Sequence, residues 1–293
     1  MNIKVPCTSA NLGVLFDKGG VALDGFCNEI TVLESERFSV SVKGIGERVL
    51  PLDESNLVCS AISRYFDETG FERVIYTIEM INEIPLSRGL GSSAACIAGG
   101  MYAANVLAGS PLSNTDIIHM AARMEGHGDN VCPAVLGGFT IYDKNKITSP
   151  GYSDEIAFIL YIPGTELSTT TSRGVLPKEY DVNTLKKAAS LGKEMIEALE
   201  ASDYEKAGSL MGRDVIHQPY RKQFIPYWDA VTETAGKAGA FGTALSGAGP
   251  SMISMCPADK CETILNNVAN TIDNKYGLSI MKCEICKTGL TMV

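Results

Sequence analysis

Residues 85–100 read Pro-Leu-Ser-Arg-Gly-Leu-Gly-Ser-Ser-Ala-Ala-Cys-Ile-Ala-Gly-Gly, and this stretch narrows the fold more than any other. Before it, Val74, Tyr76, Ile78 and Met80 alternate with Arg73, Ile75, Thr77 and Glu79, which predicts a half-buried strand over Glu72 to Met80. After it, small residues of good helix propensity predict a helix from Ser92 to Ala108, with Ala95, Ala98, Met101 and Tyr102 at helical spacing. A strand, a glycine-rich loop and a helix in that order gather unpaired N–H groups and the positive end of a helix dipole at one point. An anion, most often a phosphate, is the expected guest there. Gly89 and Gly91 are expected to let the backbone approach that guest with no Cβ in the way. Ser92 and Ser93 can cap the helix, donate to phosphate or ligate a metal; an ordinary capped helix would use the same residue types. No Gly-Lys-Ser/Thr follows, so this is not a Walker A loop, and Ala94 stands where a dinucleotide-binding loop has its third glycine.

The 293 residues suit one large or two medium domains. A net charge of −9 argues against a nucleic-acid binder, although one local pocket can still be positive and take a nucleotide. No run approaches the ~18 apolar residues of a membrane span, and no secretory signal is visible, so a cytoplasmic protein with no membrane partner is expected. Nine scattered cysteines fit reduced, mostly buried thiols. Cys256-x4-Cys261 and Cys283-x2-Cys286 could suggest zinc. A strand over Ser279 to Lys287, however, would send Cys283 and Cys286 to opposite faces, so structural thiols are the favoured reading.

Further strands are predicted at Ile3 to Cys7, Val21 to Leu33, Arg37 to Lys43, Ile156 to Ile162 and Ser251 to Met255. Helices are predicted at Ser60 to Phe66, Asp116 to Met124, Thr184 to Glu200, Tyr204 to Val215, Trp228 to Gly236 and Ala258 to Tyr276. A shift to Lys, Ser, Pro and Gly around Asn145 to Asp154 marks a domain boundary. Asn11 and Asp17 read first as turn residues, and Asn56 as a helix start. Arg123, Glu125, His127, Asp129 and Asn130 crowd together; a buried loop tolerates such a group only if it is paired, and an exposed one tolerates it freely. Arg221 suits the C-terminal end of a helix, and His217 reads as structural.

The string Pro-x-x-x-Gly-Leu-Gly-Ser-Ser-Ala at Pro85 to Ala94 resembles the phosphate loop of the GHMP kinases. Within that superfamily, several strings are similar to those of homoserine kinases. They are Ser9-Ala10-Asn11-Leu12-Gly13 with Phe16-Asp17, and Asp53-x-x-Asn56-Leu57-Val58. They also include Glu125-Gly126-His127-Gly128-Asp129-Asn130-Val131, Ser168-Thr169-x-x-x-Arg173-x-x-Leu176-Pro177 and Pro219-Tyr220-Arg221, while Gly242 to Ser251 resembles a further string of the superfamily as a whole. Leu15 and Gly128 depart from the usual glycine and proline.

The resemblance implies an α+β GHMP kinase fold. Its N-terminal half (1–150) would be like domain 2 of ribosomal protein S5 and would bind ATP; its C-terminal half (151–293) would be ferredoxin-like, with the site in the cleft between them. It implies transfer of the ATP γ-phosphoryl group to the hydroxyl of L-homoserine, in threonine biosynthesis. ATP would lie on Pro85, Leu86, Ser87, Arg88, Gly89, Leu90, Gly91, Ser92, Ser93, Ala94 and Ala95, with Asn56 against the adenine. Ser93 and Glu125 would hold Mg²⁺. Asp17 with Asn11 would meet the homoserine ammonium, and Arg173 and Arg221 its carboxylate. His127 and Asn130 would sit at the reacting hydroxyl, Asn130 as the catalytic residue with no general base assigned, while Asp129 would shape the loop. Family members often dimerise, so a homodimer is a possible state. A mevalonate kinase would need no partner for an ammonium, which Asp17 argues against. A non-catalytic nucleotide sensor would have lost the phosphate loop or Glu125.

Overall fold

The computed structural model describes residues 1–144, 146–272 and 276–293. The first layer grows from β1 (Asn2–Ala10) and the long β2 (Gly19–Glu34), which pair antiparallel with a register shift between Pro6 and Cys7. It continues through β3 (Ser39–Gly44), α1 (Leu57–Thr69) and β4 (Tyr76–Asn82). Next come α2 (Ser92–Leu107), α3 (Asn114–Glu125), α4 (Val131–Leu136), β5 (Phe139–Asp143) and β6 (Lys146–Thr148). One edge of β2 serves two partners: Gly19 to Val21 pair with β5, and Asn28 to Glu34 pair with β4. Ser113 closes a capping box with Asp116 and so starts α3 one turn before Ile117 and Ile118 enter the core.

The second layer holds β7 (Ile156–Pro163), α5 (Thr169–Gly174), α6 (Val182–Glu200), α7 (Tyr204–Met211), α8 (Gln218–Arg221) and α9 (Trp228–Ala238). It is completed by β8 (Gly242–Leu245), β9 (Met252–Pro257), α10 (Cys261–Ile272) and β10 (Leu278–Cys283). Its strands run β10-β7-β9-β8, all antiparallel. β7 is apolar throughout because both of its faces are covered. Phe158, Leu160 and Ile162 face the core shared with the first layer; Ala157, Ile159 and Tyr161 face a second core under α9 and α10.

The chain then returns. β11 (Thr291–Met292) pairs with β1, and Ile285 bridges to Leu23. The strand expected to run to Lys287 therefore stops at Cys283, because the following backbone turns to bond Asp24 and Ala22 of the first sheet.

Other boundaries differ from expectation too: β1 and α1 extend beyond both expected ends. β4 starts at Tyr76 rather than Glu72. α7 ends at Met211, whose carbonyl accepts from Gln218 Nε2 at 2.9 Å while Gly13 presses on its backbone. α10 ends at Ile272; the part of the expected helix over 273–275, like Asn145 at the expected boundary, lies outside the described residues. All nine cysteines are free thiols, and no group of three His, Cys, Asp or Glu able to hold a metal occurs among the described residues. No helix among them is long and apolar enough to cross a membrane.

Candidate active site

Three separated strings meet at the start of α2. Ser246 Oγ lies 2.6 Å from the Gly89 carbonyl and 2.9 Å from Ser9 Oγ; Gly247 N donates to Ala10 O at 3.1 Å, and Thr8 N to Leu90 O at 3.1 Å. This contact gives the two glycines a structural reason of its own. Gly89 and Gly91 have φ of 71° and 72°, and a Cβ on either would run into protein. On Gly89 it would lie 2.1 Å from Ser246 O, and on Gly91 1.9 Å from Thr8 Oγ1. The glycines let the three strings close on one another.

α2 begins at Gly91 with no side-chain cap, unlike α1, α3, α6 and α7, which Asn56, Ser113, Asp181 and Asp203 cap. Its first N–H groups are therefore free to bind an anion in the cleft that Ser92 and Ser93 line. Ser92 and Ser93, expected as possible caps, do not serve as such.

Ser93 Oγ instead donates to Glu125 Oε2 at 2.8 Å across the cleft. A hydroxyl and a carboxylate side by side are hard oxygen donors of the kind Mg²⁺ takes. Burial pushes the Glu125 carboxyl above the usual carboxylate range, against the Ser93 bond and His127. Two residues on, His127 Nδ1 sits 2.5 Å from Asp129 Oδ1, and Asp129 is only 2% exposed. Burial pulls the imidazole pKa down, but the hydrogen bond and charge of Asp129, with Glu125 and Asp17, carry it above the ordinary histidine value. Asn130 accepts from Thr8 Oγ1 at 2.8 Å, which fixes its amide on the cleft wall.

The other end of the cleft is charged. Asp17 and Arg173, expected to take opposite ends of a zwitterion, form one bidentate pair, with Oδ1 2.7 Å from NH2 and Oδ2 3.0 Å from NH1. Each carboxylate oxygen keeps a further lone pair and the guanidinium keeps further N–H groups, so both can still bind a guest. Asn11 is largely committed to the turn: Oδ1 accepts from Asp17 N at 2.9 Å and Nδ2 donates to Gly247 O at 2.9 Å. Arg221 lines the cleft at 1% exposure, donating to Ser172 O and Gly247 O. Phe16 lies beneath both guanidinium groups, 5.7 Å from Arg173 and 5.3 Å from Arg221.

Not every expected residue reaches the cleft. Asn56 is 2% exposed, caps α1 and donates to Pro51 O, and it does not line the cleft. Ala94 and Ala95 are buried behind the loop. Pro85, Ser87, Gly89, Leu90 and Gly91 line it, whereas Leu86 does not. Arg88 also lines it, but its guanidinium is spent on the Pro163, Leu86 and Gly164 carbonyls, tying the loop to the end of β7. Phe16, Thr169, Ala248 and His217 were not singled out for the site; the signal for His217 was its place four residues before Arg221, one helical turn away.

Residues 56–138 match the model of the GHMP kinases N terminal domain, and residues 195–274 that of the GHMP kinases C terminal domain. A homoserine kinase of Caldicellulosiruptor bescii is 40% identical, over 93% of this chain and 89% of its own length. The crystal structure of homoserine kinase from Cytophaga hutchinsonii superposes with a TM-score of 0.91 at 27% identity, covering 100% of this chain and 97% of the other. The mevalonate kinase of Methanococcus jannaschii shares the fold at a TM-score of 0.71 and 18% identity, over 98% of each chain.

Proposed function

The chain belongs to the GHMP kinase family, among its homoserine kinases, and from that premise we propose how its own residues divide the reaction. The reaction is transfer of the ATP γ-phosphoryl group to the side-chain hydroxyl of L-homoserine, a step of threonine biosynthesis. Such a transfer needs positioning and charge neutralisation more than covalent help.

The free N–H groups at the start of α2 and the backbone of residues 85–91 take the nucleotide phosphates. Ser93 and Glu125 hold Mg²⁺, which when bound neutralises phosphate charge. Asp17 receives the homoserine ammonium, and Arg173 and Arg221 its carboxylate. Asp129 holds the His127 ring, and Thr8 holds the Asn130 amide, so that both flank the reacting hydroxyl. We place the division of the chain near residue 150, between β6 and β7, with residues 284–293 returning to the first sheet. We place its work in the cytoplasm.

The observation that carries this reading is a cleft with an uncapped helix start at one end and both charge signs at the other. Steady-state phosphorylation with MgATP, comparing L-homoserine with other hydroxyl amino acids and mevalonate, tests it. Homoserine is expected to give the highest kcat/KM. Inert homoserine beside an accepted alcohol lacking an amino group would overturn the assignment.

A further inference from the structure

We propose that His217, held as the tautomer protonated on Nε2, is a positioning residue that aims the Arg221 guanidinium at the substrate carboxylate. The proposal rests on the reading of Arg221 as a carboxylate clamp.

Two contacts assign the tautomer independently. His217 Nε2 lies 2.8 Å from the Gly13 carbonyl, which can only accept, so Nε2 carries the proton. His217 Nδ1 lies 3.2 Å from Arg221 NH1, which can only donate, so Nδ1 presents a lone pair. Protonation at Nδ1 would set N–H against N–H and one cation against another. The ring is fully buried and stacked on Phe16 at 5.0 Å and 24°. The charged groups around it are Asp214, with Oδ2 3.6 Å from Nε2, Arg221 from α8, and Asp17 from the loop after β1. Asp214 is occupied by the backbone N–H groups of Ile216, His217 and Gln218.

Arg221 needs such a holder. Its Nε and NH1 bond Ser172 O, Gly247 O and His217 Nδ1, while NH2 has no protein partner and no carboxylate pairs with the guanidinium among the described residues. Burial, followed by the nearby Arg173, pulls its pKa down to about 10. A buried cation with one nitrogen unengaged, lining a cleft, is short of an anion. His217 fixes the opposite edge of the guanidinium without adding charge, so the anion must come from the cleft.

Three histidines make the imidazole ¹⁵N spectrum of the wild-type protein assignable. His217 is expected as the neutral Nε2–H tautomer that does not titrate from pH 8 to pH 6. An Nδ1–H tautomer, or protonation in that range, overturns the proposal without any variant.

Kinetics provides the second test. His217→Gln keeps a group at the place of Nε2 but loses the acceptor, whereas His217→Asn keeps an acceptor at the place of Nδ1. His217→Gln is expected to raise the homoserine KM roughly tenfold or more, the scale of one hydrogen bond to a charged group. The ATP KM should stay unchanged, and His217→Asn should recover most of the loss. His217→Gln should also narrow the preference for homoserine over 3-aminopropan-1-ol, which lacks the carboxylate. Equal effects of the two variants, or an equal rise in the ATP KM, would overturn the proposal. Arg221→Gln separates the two layers. If it leaves the homoserine KM unchanged, the clamp reading fails and the proposal with it. If it raises that KM while His217→Gln does not, the proposal alone fails.

Discussion

Asp17 and Arg173 stand 156 residues apart in sequence and hold each other through two bonds at the charged end of the cleft. Both are about one-third exposed, so the pair itself adds little to stability. Asp17→Asn is expected to raise the homoserine KM by roughly one to two orders of magnitude, the range for hydrogen bonds to charged groups, with the ATP KM unchanged. Titrating each substrate at saturation of the other checks this. Asp129 bonds the His127 imidazole. Asp129→Asn keeps an acceptor for His127 and should retain substantial activity; a loss over about a thousandfold in kcat with unchanged KM would put it in the chemistry instead. At this scale the family strings named Asp17, Arg173 and His127, but their pairing was not legible. Nothing local in the sequence says that Asp17 meets Arg173 or that His127 leans on Asp129. His217 reads as structural in the sequence, because the carbonyl it bonds lies 204 residues away.

Among the elements, α2 is legible almost to the residue, since Ser, Ala and Gly dominate from Ser92 to Ala104 and no proline interrupts the helix. The reason for its glycines is not, because it lies in another loop. Gly91 at φ 72° faces Thr8 Oγ1. Gly91→Ala should cost about 1–2 kcal/mol from the left-handed backbone alone, and displacing Thr8 adds to this. Chemical denaturation should show the loss, and Thr8→Ala in the same chain should recover part of it. α7 ends at Met211, short of the expected Val215, for a similar reason. Its helical pattern continues past Met211, but Asp214 collects three backbone N–H groups there to start the next turn.

Across the whole molecule, the two sheets share one core through β7, and the charged cleft sits where loops from both layers meet. Such a fold couples buried titration to global stability. Burial lowers the pKa of His217, so the unfolded chain takes up a proton near the ordinary value of 6.5 while the folded chain does not. The neutral ring therefore contributes its full stability above about pH 6.5, and that stability is lost as pH falls below it. His127, whose pKa is raised, works in the opposite sense. Comparing wild type with His217→Gln isolates the one residue. Between pH 7 and pH 5.5 the wild-type stability should fall more steeply, by up to about 1.4 kcal/mol per pH unit.

β11 pairs with β1, and the backbone of residues 285–286 bonds β2, so the opening strands of the chain wait for its closing ones. On the ribosome the first sheet has an unfilled edge beside β1 until residue 292 has left the exit tunnel. Until then that edge presents unpaired backbone groups, the state in which a neighbouring nascent strand is captured in place of its own.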